Sequence, residues 1–226
     1  MERLVIRPPV IQIAIDLFTI DEALRLAEVG VKAGVDWLEA GTPLIVRRGA
    51  DAIGAIARAF PEFPVLADYK TMDGGGRNVN LTADQGGKIM TVCAGAADAT
   101  VTAAVNASAK TGVLVIVDTI GARDQVAAAE RVEKLGADSV FLHYGADERA
   151  ARPAGDSVQW VEGVGAAVKI PIGTATFSPK DAAAAASMGA EILVIGHPVI
   201  SCADPLAALK EYCERVREAY RPRRTV

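Results

Sequence analysis

Short apolar runs in this chain repeatedly end, without a spacer, in an ionisable residue. Residues 11–15 lead to Asp16, Trp37-Leu38 to Glu39, 63–67 to Asp68, 113–117 to Asp118, 139–142 to His143 and 191–196 to His197. Each run reads as a strand buried on both faces, as in a parallel sheet. The residue that closes it then stands at the carboxyl end of the strand, where parallel α/β proteins build their active sites. Strand-like runs centre near residues 13, 37, 66, 90, 115, 140, 171 and 193. That spacing is what one strand, one helix and two short loops consume. Helical periodicity fills the gaps, over 21–33, 49–59, 77–87, 98–110, 123–135, 157–168, 179–188 and 204–220. Cap signals precede several of these helices, at Thr19, Ser178-Pro179 and Asp204-Pro205. Eight near-equal units, with no GxGxxG after the first strand, predict a single (β/α)8 TIM barrel over residues 1–226 rather than an open doubly wound sheet. The third helix is the weak one, because glycines flank it and Asn78 and Asn80 lie within it.

Composition narrows this picture. Hydrophobic residues make up 51% and aromatic residues 5%, so Ala, Val, Ile and Leu must fill the core. The formal charge of −4 gives no electrostatic reason to bind nucleic acid. Basic residues cluster only at the end of the chain, and residues 221–226 are expected to form a solvated, disordered basic tail. Three cysteines without CxxC spacing fit a reducing compartment. The first residues lack the uninterrupted apolar segment of a signal peptide, and no stretch is long enough to span a membrane. The expectation is a cytoplasmic protein.

The densest chemistry lies at Ala67 to Asp73, where Asp68, Lys70 and Asp73 form a DxKxxD arrangement. Side chains alternate along a strand, so Asp68 and Lys70 share a face and project together into the barrel mouth. Asp73 lies beyond, on a loop that Gly74, Gly75 and Gly76 are expected to make flexible, and could reach a neighbouring site. A structural ion pair with a helix-capping Asp73 is the plainer alternative. Glu39 ends the strand beside that of Asp68. Two carboxylates on adjacent strand ends can share one hard cation, for which Mg²⁺ is the natural choice. His143 offers an acid or base that titrates near neutrality. Asp16 and Asp118 are expected either to bind substrate hydroxyls or to cap loops. After strands seven and eight, Thr176, Gly196 and His197 lie where such barrels hold phosphate.

At these residues the chain resembles the orotidine monophosphate decarboxylase suprafamily, in particular its 3-hexulose-6-phosphate synthases and 3-keto-L-gulonate-6-phosphate decarboxylases. The resemblance runs from Ile11 to Ala219, with DxKxxD as its marker, and Glu39 to Ile45 and Ala203 to Pro205 are closer to the synthases. It implies a homodimeric barrel and a carbon–carbon lyase that binds Mg²⁺ through Glu39 and Asp68 and stabilises the 1,2-enediolate of a ketose phosphate. Lys70 and Asp16 would contact substrate oxygens, Asp73 would cross into the partner's site, and His143 would handle protons. In the synthase the enediolate of ribulose 5-phosphate attacks formaldehyde; in the decarboxylase a β-keto acid sugar phosphate loses CO₂.

Three departures stand out. Thr176-Phe177 replaces a Gly-Gly pair, His197 replaces the Gly or Arg after strand eight, and the segment 74–78 is unlike the usual helix start. The decarboxylases carry an arginine shortly after the strand-six histidine, whereas the first one here is Arg149. Synthase, decarboxylase and a non-catalytic sugar-phosphate-binding relative are the three readings to separate.

Overall fold

The protein, described here from a computed structural model over residues 3–153 and 155–223, forms a closed barrel of eight parallel strands in sequence order. The strands are β1 (Val10–Ile15), β2 (Trp37–Ala40), β3 (Val65–Thr71), β4 (Ile89–Cys93), β5 (Leu114–Asp118), β6 (Ser139–Leu142), β7 (Ile172–Thr176) and β8 (Ile192–Ile195). β1 pairs with β2 on one side and with β8 on the other, through Val10 opposite Ile192, which closes the ring. The helices are α1 (Ile20–Ala33), α2 (Thr42–Arg48), α3 (Asp51–Ala59), α4 (Gly75–Asp84), α5 (Asp98–Thr111), α6 (Gln125–Lys134), α7 (Ala146–Ala151), α8 (Val161–Ala167), α9 (Pro179–Ser187) and α10 (Pro205–Ala219).

Strand alternation sorts the apolar residues into two cores. On β1, Ile11, Ile13 and Ile15 belong to the larger core between barrel and helices, with Leu26, Leu38, Ile53 and Val115. Val10 and Ala14, one residue out of phase, join a smaller cluster inside the barrel with Trp37, Leu66, Ile89, Leu114, Ile116, Ile192 and Val194. Both faces of each strand are therefore buried, which is why the runs read as continuously apolar. The expected caps form as well. Thr19, Ser178 and Asp204 each accept a hydrogen bond from the backbone N–H three residues on.

Three local expectations change. The glycines after Asp73 do not make a flexible loop, because α4 begins at Gly75 and packs against α5. A Cβ at Gly75 would sit 2.3 Å from the carbonyl oxygen of Thr100, so close helix approach, not mobility, requires glycine there. The segment after β6 carries an additional short helix, α7, before the chain returns to β7. Arg223, within the tail expected from residue 221, is held against the barrel: it donates to the carbonyls of Gly165, Val168 and Ile170 and pairs with Glu191 at 2.8 Å. Residues 224–226 of that expected tail lie outside the described residues.

Candidate active site

The inward positions of the strands, followed to their carboxyl ends, turn from apolar to polar. Inside the barrel lie Ala14, Leu66, Ile116, Phe141 and Val194; two residues further along each strand come Asp16, Asp68, Asp118, His143 and Gly196. Gln12, Glu39 and Thr91 are polar one step deeper. Except for Asp118, which is wholly buried behind them, these residues line a cavity of about 930 Å³ at the carboxyl end of the barrel.

Its centre is Lys70. The register between β3 and β4 shifts between Ala67 and Thr71, and Lys70 has φ +46°, the only non-glycine residue with positive φ among those described. Such strain persists only where surrounding contacts over-determine it. Here Lys70 N–H donates to the hydroxyl of Thr91 at 2.9 Å, and the Cys93 thiol donates to the Lys70 carbonyl at 3.3 Å. The side chain thereby reaches both Asp68, with Nζ 2.8 Å from Oδ2, and Asp118, at 3.0 Å. Asp68 is held on both oxygens: Thr91 donates to Oδ1 at 2.8 Å and Thr42 to Oδ2 at 2.6 Å. Asp118 also holds His143, whose Nδ1 lies 2.8 Å from the same Oδ2 that Lys70 contacts. One buried carboxylate thus fixes the ammonium and the imidazole side by side.

The titration of these groups follows from that arrangement. Burial alone would raise the Asp118 carboxyl, but His143, Lys70 and the Ile120 N–H together bring it down to about 2. Burial disfavours the Lys70 ammonium, yet Asp118 and Asp68 outweigh that and hold it firmly protonated. Glu39 goes the other way. Desolvation, then the nearby carboxylates of Asp68 and Asp16, push it well above the ordinary range, with Lys70 only partly offsetting them. Asp16 at the cavity rim is also raised, first by desolvation from the cavity wall and then by Asp68. Gly41 makes room for it: a Cβ there would lie 2.1 Å from Asp16 Oδ1.

Glu39, Asp68, Lys70 and His143 meet in one cavity, with Asp16, Gly196 and His197 on its wall. Asp118 meets the second of its two expectations, the loop cap, by accepting from the Ile120 N–H at 2.8 Å. It is fully buried and otherwise spent on Lys70 and His143, whose side chains it positions. Thr176 lines the cavity as expected, but its side chain lies on the outward phase of β7, and its hydroxyl contacts Tyr212 at 2.5 Å and donates to the Val194 carbonyl. That hydroxyl is not available to a ligand. Asp73 is exposed and does not line the cavity of its own chain. His197 is exposed, with Nδ1 3.1 Å from Ser201 Oγ.

Sequence reasoning missed Gln12, Thr42 and Thr91, and noted Arg149 only as the first arginine after His143, without a role. The period-two rule that placed Asp68 would have placed Gln12 and Thr91 as well, since both lie on the inward phase of their strands. Arg149 carried no such signal, because it lies on α7, which was not expected.

Two observations bear on a cation. The donors around Glu39 are hard oxygens, and three mutually repelling carboxylates face a single lysine, an imbalance that a divalent ion would relieve. The buried amide oxygen of Gln12, whose Nε2 donates to Glu39 at 2.5 Å, has no hydrogen-bond partner. No group of three or more His, Cys, Asp or Glu side chains among the described residues is arranged to hold a metal by itself. Glu39 and Asp68 fit instead an ion such as Mg²⁺ that retains waters and leaves positions for a ligand. Oδ2 of Asp68 already accepts from Thr42 and Lys70, so Oδ1, with Thr91 alone, is the oxygen with a free lone pair.

Residues 9–212 match the model of the orotidine 5'-phosphate decarboxylase / HUMPS family. The chain belongs to this family. It is 37% identical over 202 residues to the 3-hexulose-6-phosphate synthase of Mycobacterium gastri, covering 89% of this chain and 96% of that one. A crystal structure of 3-hexulose-6-phosphate synthase superposes with a TM-score of 0.85 at 36% identity, over 93% of this chain and 99% of the other. The structure of 3-keto-L-gulonate-6-phosphate decarboxylase from Vibrio cholerae shares the fold at 20% identity, with a TM-score of 0.82 over 95% of this chain and 100% of that one. The family resemblance and the (β/α)8 barrel expected from the sequence are both borne out. No helix among the described residues is long and apolar enough to cross a membrane.

Proposed function

We propose that this carbon–carbon lyase joins formaldehyde to ribulose 5-phosphate, the reaction of 3-hexulose-6-phosphate synthase, through a 1,2-enediolate. The observation that carries the reading is the shared grip of Asp118 on Lys70 and His143, directly beside Asp68 and Glu39. Identity to the synthases over most of the chain supports it. Forming an enediolate requires a base at carbon, a charge acceptor at oxygen and exclusion of bulk water.

His143 suits the first task. With Nδ1 engaged by Asp118, Nε2 is the nitrogen left to take a proton from the ketose and return one to the product alkoxide. Lys70, kept protonated by two carboxylates, suits the second, as a preorganised donor to the oxygen where charge develops. Mg²⁺ held by Glu39 and Asp68 would add Lewis-acid stabilisation at the same oxygens. Asp16 at the rim is available to a substrate hydroxyl. Asp73, exposed beside the exposed Met72, belongs in this proposal to the site of a second copy, as part of a homodimer in the cytoplasm.

The test is direct. Purified protein with Mg²⁺, ribulose 5-phosphate and formaldehyde should consume formaldehyde and form a hexulose phosphate by NMR, with exchange of the C1 proton when formaldehyde is omitted. Lys70→Ala should abolish both while leaving the circular dichroism spectrum intact. Phosphate-ligand binding without turnover or exchange would identify a non-catalytic relative, and release of CO₂ from a β-keto acid sugar phosphate would identify the decarboxylase.

A further inference from the structure

The cavity lining includes an arginine for which the reaction chemistry has no task. Arg149 projects from α7 and lays its guanidinium over the ring of Phe177, 3.6 Å from the centroid. Both residues line the cavity, together with Gly196 and His197. From this geometry we infer that Arg149, stacked on Phe177, is the side chain that holds the phosphate of the substrate.

Charge bookkeeping within the cavity is the first argument. Its walls contribute Asp16, Glu39, Asp68, Asp147 and Glu148 against Lys70 and Arg149, with His143 and His197 as further nitrogen donors. Lys70 is committed to Asp68 and Asp118. Glu148 lies 3.9 Å from Arg152, outside the cavity lining. Arg149 forms no salt bridge among the described residues, so it is the uncommitted permanent cation available to an entering anion.

The second argument is preorganisation. A phenyl ring against one face of a guanidinium leaves the in-plane N–H groups free, and those groups match two oxygens of a phosphate in parallel. Phe177 holds the planar group in place before the ligand arrives, so less side-chain freedom is lost on binding.

Ser178 accepts from the N–H of Asp181 and caps α9, and Asp181 places a carboxylate in the first turn. One N–H of the α9 amino end is thereby spent internally and a negative charge stands beside it, so the cation of Arg149 is the group at this end of the cavity that favours an anion most.

This inference rests on the proposed sugar-phosphate substrate, so its test reads binding separately from turnover. Titration calorimetry would compare inorganic phosphate, ribulose 5-phosphate and unphosphorylated ribulose on the whole protein with Mg²⁺. Arg149→Ala should weaken both phosphorylated ligands by about 10- to 100-fold, the range of a lost charge-assisted pair, and leave ribulose unchanged. If turnover is present, KM for ribulose 5-phosphate should rise far more than kcat falls. Arg149→Lys should recover part of the loss, and Phe177→Leu, which keeps the charge but removes the platform, should cost several-fold. Loss of phosphate-specific binding in a protein that shows no turnover would uphold the clamp and sink the synthase reading. Unchanged phosphate affinity in Arg149→Ala, or equal weakening of ribulose and ribulose 5-phosphate, would overturn the clamp. So would a wild-type protein that binds no phosphorylated ligand.

Discussion

Replacing Asp118 by Asn probes the whole catalytic arrangement through one buried oxygen. The carboxyl falls from an ordinary 3.8 to about 2 in the folded protein. At ~1.4 kcal/mol per pKa unit, that difference contributes about 2–3 kcal/mol of stability. The group is buried, so no solvent screening discounts the figure. Because the folded-state pKa is the lower one, the contribution is present above pH ~4 and disappears as pH falls through ~2, with about half gone by pH 3. Asp118→Asn should therefore unfold about 2–3 kcal/mol more easily in urea at pH 5, and the gap to wild type should narrow by about half by pH 3. Activity should fall much further than stability, since Lys70 and His143 lose their common anchor. A stability gap that stays constant from pH 5 to pH 2.5 would refute the assignment of Asp118 as an ionised hub. So would a variant as active as the wild type.

The remaining predictions use other contacts of the same site. Glu39→Gln should raise the thermal midpoint of the Mg²⁺-free protein, because it removes a buried carboxylate that repels Asp68 and Asp16; it should also abolish any Mg²⁺-induced shift in that midpoint, and a retained shift would exclude Glu39 as a ligand. Thr91→Val, nearly isosteric, removes the acceptor for Lys70 N–H and the donor to Asp68; kcat should fall about 10-fold or more at little change in KM, and Thr91→Ser should restore it. Thr176→Val should cost about 1–3 kcal/mol by stranding the Tyr212 hydroxyl, with KM for ribulose 5-phosphate unchanged; a raised KM would return its hydroxyl to the binding site. Gly75→Ala should destabilise the protein in denaturant melts, since the new methyl meets the Thr100 carbonyl; a neutral effect would mean that α4 can move away from α5.

What the sequence disclosed, and what it withheld, has a physical pattern. The barrel was legible because both faces of every strand are buried, which writes eight apolar runs at near-equal spacing. Asp68, Lys70, Glu39 and His143 were legible because strand ends project their inward residues to a common point. Thr176 shows what loop position alone leaves out: the residue lines the cavity, but the phase of its strand turns its hydroxyl to Tyr212. The same phase argument, applied to β1 and β4, would have found Gln12 and Thr91. The glycines at 74–76 were read as freedom when two of them serve contact, a distinction that composition alone does not encode because it depends on α5 packing across α4.

Arg149 marks the real limit. Its function requires a partner beyond a different strand, since the guanidinium is useful only where Phe177 holds it, and 27 intervening residues separate the two in the chain. That pairing also changes how the departures from the family pattern relate to one another. Phe177, where the resembled families carry glycine, creates the platform on which Arg149 rests, and the segment carrying Arg149 adds α7 to the cavity lining. The carboxylates and lysine at the strand ends stay fixed by the barrel register, while the anion-holding task can pass from backbone to side chain because loops, unlike strands, are free to change length and composition. A barrel can in this way keep its reaction and rebuild its grip on the substrate.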